Sequence, residues 1–205
     1  MRVLSGSELF EDRTRLILNA TRFLRSVEAL FPNDYREMMQ SAHLWCYDGG
    51  ESVIQEGDSA GSVFLVVSGS VSVRSSRVGE LAVIGAGEWL GDMSLFSARS
   101  RTADVQVESS VARLLMIPKN ILQPADSKLS DDFKRYIYES ISQGIRWKLE
   151  QAKIKHPSPE LNESLIRLAR LPARGGVEDF YQLLTEMAVS LQAWNTYRES
   201  ETIVS

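Results

Sequence analysis

The chain has 205 residues, 43% of them apolar and 24% charged, with 23 basic and 27 acidic side chains for a net charge of −4. That composition fits a soluble globular fold and argues against a nucleic-acid binder, whose affinity rests on clustered Lys and Arg. One cysteine, Cys46, and two histidines, His43 and His156, leave no intrachain disulfide and no imidazole-built metal site. No apolar run approaches the roughly eighteen residues of a membrane helix. The opening Met1-Arg2-Val3-Leu4-Ser5-Gly6 lacks the apolar region of a signal peptide, so the expectation is a cytoplasmic protein without membrane insertion.

The first segment reads as a helix. Ser5-Gly6-Ser7-Glu8 has the form of a capping box, and Leu16, Ala20, Phe23, Val27 and Leu30 recur at spacings of four, three, four and three. Pro32-Asn33 breaks that helix and opens a shorter one from Tyr35 to about His43. Glycine then becomes dense: nine of the thirteen lie between Gly49 and Gly91. Glycine supplies positive φ in tight turns, so many short strands are expected here. The β-branched stretches 52–54, 63–67, 71–73, 81–84, 104–107 and 111–117 are those strands. Short strands this close together predict an antiparallel β-roll, or jelly roll. Pro118 ends the run and can start a helix.

A long helix from about Asp131 to Lys155 follows, striped by Phe133, Ile137, Ile141, Ile145 and Leu149. His156-Pro157-Ser158-Pro159 stops it. A helical hairpin is expected next. Leu161, Leu165 and Leu168 stripe its first arm, residues 172–176 turn, and Val177, Phe180, Leu184, Met187, Leu191 and Trp194 stripe the second. The fold class is α+β, in three segments: an N-terminal helical segment (1–31), a β-roll with its long final helix (32–155), and a C-terminal hairpin (156–205).

The chemistry concentrates in Gly87-Glu88-Trp89-Leu90-Gly91-Asp92-Met93-Ser94-Leu95-Phe96 and the Arg101-Thr102-Ala103 that follows. A short helical turn beginning at Gly91-Asp92 presents free backbone N–H groups, a small anion site. Arg101, returning on the next strand, supplies a charged fork for a phosphate. Asp92 repels a phosphate but accepts from a sugar hydroxyl beside it. These residues together point to a nucleotide with one phosphate and a ribose hydroxyl. Trp89 reads as a core aromatic, while Trp147, Tyr136 and Tyr138 on the long helix are either base lids or packing residues.

The segment resembles the phosphate-binding cassette of cyclic-nucleotide-binding domains, the β-roll of catabolite activator proteins and cyclic-nucleotide-dependent kinases. Leu90-Gly91-Asp92-Met93-Ser94-Leu95 and Arg101-Thr102-Ala103 stand at the family spacing. Upstream, Gly50-Glu51-Ser52-Val53-Ile54-Gln55-Glu56-Gly57-Asp58 is similar to the family's first strand and turn. Phe64-Leu65-Val66-Val67-Ser68-Gly69-Ser70-Val71-Ser72-Val73 is similar to its next strand pair. The resemblance implies cAMP or cGMP as regulatory ligand and no enzymatic cofactor. It assigns the phosphate to Arg101, Gly91 and the N–H groups at Met93 and Ser94, and the ribose 2′-hydroxyl to Asp92. Thr102 adds a hydroxyl near phosphate or base, and Leu81 and Ile84 line the base pocket. Asp92 is one methylene shorter than the family glutamate, and Ser100 replaces a frequent proline.

No P-loop, zinc signature or nucleophile motif is present, so no enzyme is expected. Residues 155–205 carry five basic and seven acidic side chains and no recognisable winged helix, which argues against DNA binding. The expected output is contact with a protein partner or a second copy, possible as a homodimer, through the helical ends. The alternatives are a nucleotide-free β-roll adaptor and an atypical transcription regulator.

Overall fold

The computed structural model describes residues 1–75, 79–96, 100–126, 128–155, 159–169 and 176–202. In chain order these form β1 (Arg2–Ser5), α1 (Asp12–Asn19), α2 (Arg22–Leu30), α3 (Pro32–Ser41), β2 (His43–Asp48), β3 (Ser52–Ile54), β4 (Ser62–Ser68) and β5 (Ser70–Ser75). Next come β6 (Gly79–Gly85), β7 (Trp89–Leu90), α4 (Asp92–Phe96), β8 (Asp104–Val107), β9 (Val111–Pro118), α5 (Asp131–Lys155), α6 (Pro159–Ala169) and α7 (Val177–Thr202). The strands pair antiparallel into two sheets, β1-β2-β9-β4-β7 and β3-β8-β5-β6.

The five-stranded sheet is buried on both faces, which explains why β4 is a continuous apolar run. Side chains alternate across a strand. Val63, Leu65 and Val67 therefore enter one core, with Leu115 and Ile117 of β9. Phe64 and Val66 enter the other, with Leu114 of β9, Val71 of β5 and Val105 and Val107 of β8. The second core is the interior of the roll. The first is the layer between sheet and helices, filled by Leu18, Leu24, Val27, Met38 and Met39 from α1 to α3, and by α5 and α7. All five predicted stripe residues of α5 are fully buried. Truncating one of them, such as Ile141, to alanine carries the usual cost of about 2–5 kcal/mol for a cavity in a packed core. Val177, Phe180, Leu184, Met187 and Leu191 of α7 join the same core, which runs continuously from Leu9 to Leu191.

Gly69, at φ +82° between β4 and β5, is required by a close approach. A Cβ there would collide with the Val111 carbonyl and the Ser109 side chain.

Several expectations needed correction. The first helical stripe is wrong in register: Leu16 is 76% and Leu30 61% exposed, while Leu18 and Leu24 are buried. The helix breaks before Thr21, the N-cap of α2, whose buried hydroxyl donates to the Val67 carbonyl at 3.4 Å. That break rotates the second half of the stripe relative to the first. Glu8 does accept from the Ser5 backbone N–H at 3.1 Å, but the turn that follows is a 3-10 turn, Gly6–Phe10, preceded by a strand. α3 stops at Ser41, and His43 opens β2. Pro118 is the last residue of β9, with a 3-10 turn from Asn120 to Leu122 after it. The expected stop at 156–158 and the hairpin turn lie outside the described residues, apart from Gly176 and the helix start at Pro159.

Candidate functional site

The site assembles where three stretches distant in sequence meet: the turn after β3, the start of β4, and the cassette between β7 and β8. Arg101 is not on a strand, contrary to expectation, because β8 begins at Asp104. Its backbone is instead clamped by the glutamate-glycine-aspartate turn. The Arg101 N–H donates to the Asp58 carbonyl at 2.8 Å, and the Gly57 N–H donates to the Arg101 carbonyl at 2.9 Å. Two motifs that were separate in sequence are thus one structural unit.

The Arg101 guanidinium is 8% exposed, and its setting is defined on three sides. Nη2 donates to the Ser62 carbonyl at 2.8 Å and reaches Ser62 Oγ at 3.3 Å. The guanidinium carbon stands 5.7 Å from the Phe64 ring centroid, within range of cation–π attraction. Nη1 lies directly over Gly91, so closely that a Cβ there would collide with it. Gly91 is at φ +67°, left-handed backbone that favours glycine. This residue therefore has two reasons to be glycine, one in its own torsion and one in the arginine it seats. Burial lowers the guanidinium pKa from its ordinary value, and the Asp58 charge raises it. A fork held in this way has one amino group anchored to β4 and the other directed to the cassette turn.

Asp92 is 3% exposed and is the first residue of α4. Its Oδ2 lies 3.7 Å from the point where a Cβ on Gly144 of α5 would sit. The carboxylate is thus covered by the long helix. Met93 is half-buried against the helix-layer core, and the Ser94 side chain falls outside the described residues, as do residues 97–99. Thr102 is exposed.

The two residues expected to line a base pocket are separated. Ile84 pairs with Val71 and packs on the roll interior. Leu81 is 49% exposed and packs on neither core. The cause is an irregular register: Arg74 faces Glu80 but Val73 faces Ala82, so Leu81 is the extra residue of a bulge. Strand periodicity alone cannot foresee such a bulge. Trp45, Val53, Val73, Ile84 and Met116 are the half-buried apolar residues packed against the roll interior, to which Phe64 belongs.

The cassette is tied to both long helices. The Trp89 indole N–H donates to Ser140 Oγ of α5 at 3.0 Å, and Trp89 is buried in the helix-layer core as expected. Leu95 and Phe96 of α4 are buried in the same core. Phe96 meets Tyr138 of α5 edge-on, with centroids 5.7 Å apart, and Tyr181 of α7 at 5.3 Å. The Tyr181 hydroxyl donates to the Leu95 carbonyl at 2.9 Å. Tyr138, fully buried, donates to the Leu122 carbonyl, and burial raises its pKa far above the ordinary phenol value. Tyr136 packs against Phe23 and Phe31, which leaves Trp147, 53% exposed, as the one of the three aromatics weighed as base lids that is not taken up by packing. Ser62, Asp58 and Tyr181 were missed by sequence reasoning. Asp58 stood in a recognised motif, whereas Ser62 and Tyr181 carried no local signal.

Among the described residues, no group of three or more His, Cys, Asp or Glu side chains is placed to hold a metal ion, and no helix is long and apolar enough to cross a membrane.

Residues 45–125 match the sequence model of the family described as Cyclic nucleotide-binding domain. Over 103 residues the chain is 29% identical to the cAMP-dependent protein kinase type II regulatory subunit of Drosophila melanogaster, covering 49% of this chain and 27% of that one. It is 30% identical over 128 residues to the CRP-like protein Clp of Xanthomonas oryzae pv. oryzae, covering 57% of this chain and 54% of that one. The chain thus spans about a quarter to a half of these relatives. In fold it is similar to the regulatory subunit of a cAMP-independent protein kinase A from Trypanosoma brucei, with a TM-score of 0.52 at 12% identity over 69% of this chain and 49% of that one. The likeness to that structure is one of fold, the antiparallel β-roll with flanking helices.

Proposed function

We propose that the protein is a cyclic-nucleotide receptor, without catalytic activity of its own, whose bound state is read by its long helices. The observation that carries this is the split fork of Arg101, with Nη2 on Ser62 and Nη1 over Gly91. A cyclic phosphate placed at the cassette turn takes the Nη1 side of the guanidinium and the backbone N–H groups at Met93 and Ser94. The base then lies along Phe64, Val73 and Ile84, with Leu81 outside the pocket. Thr102, exposed beside Arg101, is free to contribute a hydroxyl at the pocket mouth.

Asp92 supplies the switch. Its carboxylate is covered by α5, and the same carboxylate is the acceptor for the ribose 2′-hydroxyl. Drawing it into the nucleotide changes what α5 rests on at Gly144. Leu95 and Phe96 carry the shift to α7 through Tyr181. A ligand moves this equilibrium only by its difference in affinity for the two arrangements, and the ribose contact provides that difference. The output is a contact made by α5 or the α6–α7 hairpin, with another protein or a second copy.

The test is a calorimetric titration of the protein, freed of copurified nucleotide, with cAMP and with cGMP, beside Arg101→Ala. Binding of either nucleotide in the micromolar range, lost in the variant, is expected. A folded protein that binds neither overturns the receptor reading. It favours instead a nucleotide-free adaptor, the reading to which the covered Asp92 gives weight.

A further inference from the structure

The sheet ladder stops short of Arg101. β8 starts at Asp104, and its pairing with β3 ends where Ile54 faces Val105. Beyond that pair the chain turns at residues 55–58, closed by the Asp58 N–H on the Gln55 carbonyl at 3.2 Å, with Gly57 at φ +91°. The N–H groups of the two central residues of such a turn point outwards and take acceptors from elsewhere. The Gly57 N–H takes the Arg101 carbonyl. The Glu56 N–H takes a side chain instead, donating to Asp104 Oδ1 at 2.7 Å. Arg74 faces Asp104 from β5 but pairs with Glu80 at 3.5 Å, so the carboxylate is left to the turn.

We infer that Asp104 is a positioning residue for Arg101. Its side chain adds a rung between the last pair of the ladder and the arginine clamp, and so fixes residues 101–104 against the turn. A planar guanidinium already anchored to Ser62 on one side reaches a phosphate only from a fixed backbone position. The inference rests on the receptor reading above and adds to it a residue outside the Arg101-Thr102-Ala103 motif. What the turn requires at that point is an acceptor and not a charge, because its partner is a neutral backbone amide. Asparagine meets the requirement and alanine does not. The bond is exposed, so water replaces the lost acceptor and the alanine variant keeps its fold.

The experiment titrates wild type, Asp104→Ala and Asp104→Asn, each freed of copurified nucleotide, with cAMP and with cGMP. Ligand-free thermal melts and amide exchange run in parallel. Asp104→Ala is expected to weaken binding of the better nucleotide about three- to ten-fold, and Asp104→Asn less than about two-fold. The Gly57 and Arg101 amides, which form the clamp, exchange faster in the alanine variant than in wild type and recover in the asparagine variant. An alanine variant with wild-type affinity overturns the inference and leaves the receptor reading intact, whatever its melting temperature. So does an asparagine variant as weak as alanine, or a loss of affinity with exchange at Gly57 and Arg101 unchanged. Wild type that binds neither nucleotide overturns both.

Discussion

Glycine to alanine should have opposite effects at two positions only a helix apart from each other. Gly91 sits at φ +67°, where an L-residue costs about 1–2 kcal/mol. The added methyl would also collide with Arg101 Nη1. The guanidinium must then leave the notch, straining or breaking its bond to the Ser62 carbonyl. A net hydrogen bond to a charged group is worth about 1.5–3 kcal/mol, so Gly91→Ala should destabilise by about 2.5–5 kcal/mol in all. At this chain length, that is a fall of roughly 5–20 °C in melting temperature. Nucleotide affinity should fall at least ten-fold, because the displaced arginine no longer faces the cassette. Gly144 lies inside α5 with ordinary backbone, and a Cβ there meets Asp92 Oδ2 at 3.7 Å, a normal contact. Alanine at that position should stabilise the helix by about 0.5–1 kcal/mol. Urea melts of the two variants, with calorimetry of each, read both signs. Gly91→Ala that matches wild type in stability and affinity would refute the geometry assigned to the arginine notch. A strongly destabilised Gly144→Ala would refute the placement of α5 over the cassette.

Tyr35 and Tyr47 are both pushed up to about 12, chiefly by burial, from an ordinary value of 10.0. A raised phenol pKa means that the folded state holds its proton longer than the unfolded chain, so stability is complete below pH 10 and falls as pH rises towards 12. The tyrosinate absorbance lost in Tyr35→Phe or Tyr47→Phe should therefore appear together with loss of far-ultraviolet ellipticity across that window. That difference signal appearing near pH 10 in a still-folded protein would contradict it. Tyr181→Phe removes the donor to the Leu95 carbonyl while keeping the ring against Phe96. It should cost about 1 kcal/mol and speed amide exchange in α7 more than in α1 to α3. Uniform exchange across the helices would show that α7 does not report the cassette.

Local pattern was enough for much of this molecule. The stripe of α5 and that of α7 as far as Leu191 read correctly because a helix buried along one face repeats its apolar residues at its own period. The central strands read correctly for a related reason: β4 is buried on both faces, and a continuous β-branched run has few other uses. The turn between β7 and Arg101 stood out in the sequence because Gly91, free to take left-handed backbone, and Arg101 stand at the spacing of the cassette it resembles. Where partners were remote, the pattern ran out. The register of α1 and α2 depends on Thr21 reaching Val67, forty-six residues away. The exclusion of Leu81 depends on one bulge opposite β5. Strands as short as β1 and β7 have too few residues to show alternation, and exist because β2 and β4 offer them free edges.

The same division runs through the site. Residue chemistry alone named Arg101, Gly91 and Asp92, since charge, backbone freedom and hydrogen-bonding capacity belong to a residue type wherever it stands. Tertiary packing settled what each one touches: Ser62 beneath the guanidinium, Gly144 beside the carboxylate, Tyr181 behind the cassette. Those contacts join residues between about forty and ninety positions apart, for most of them. They arise only when two sheets and a helix layer close over one another, so no reading along the chain contains them.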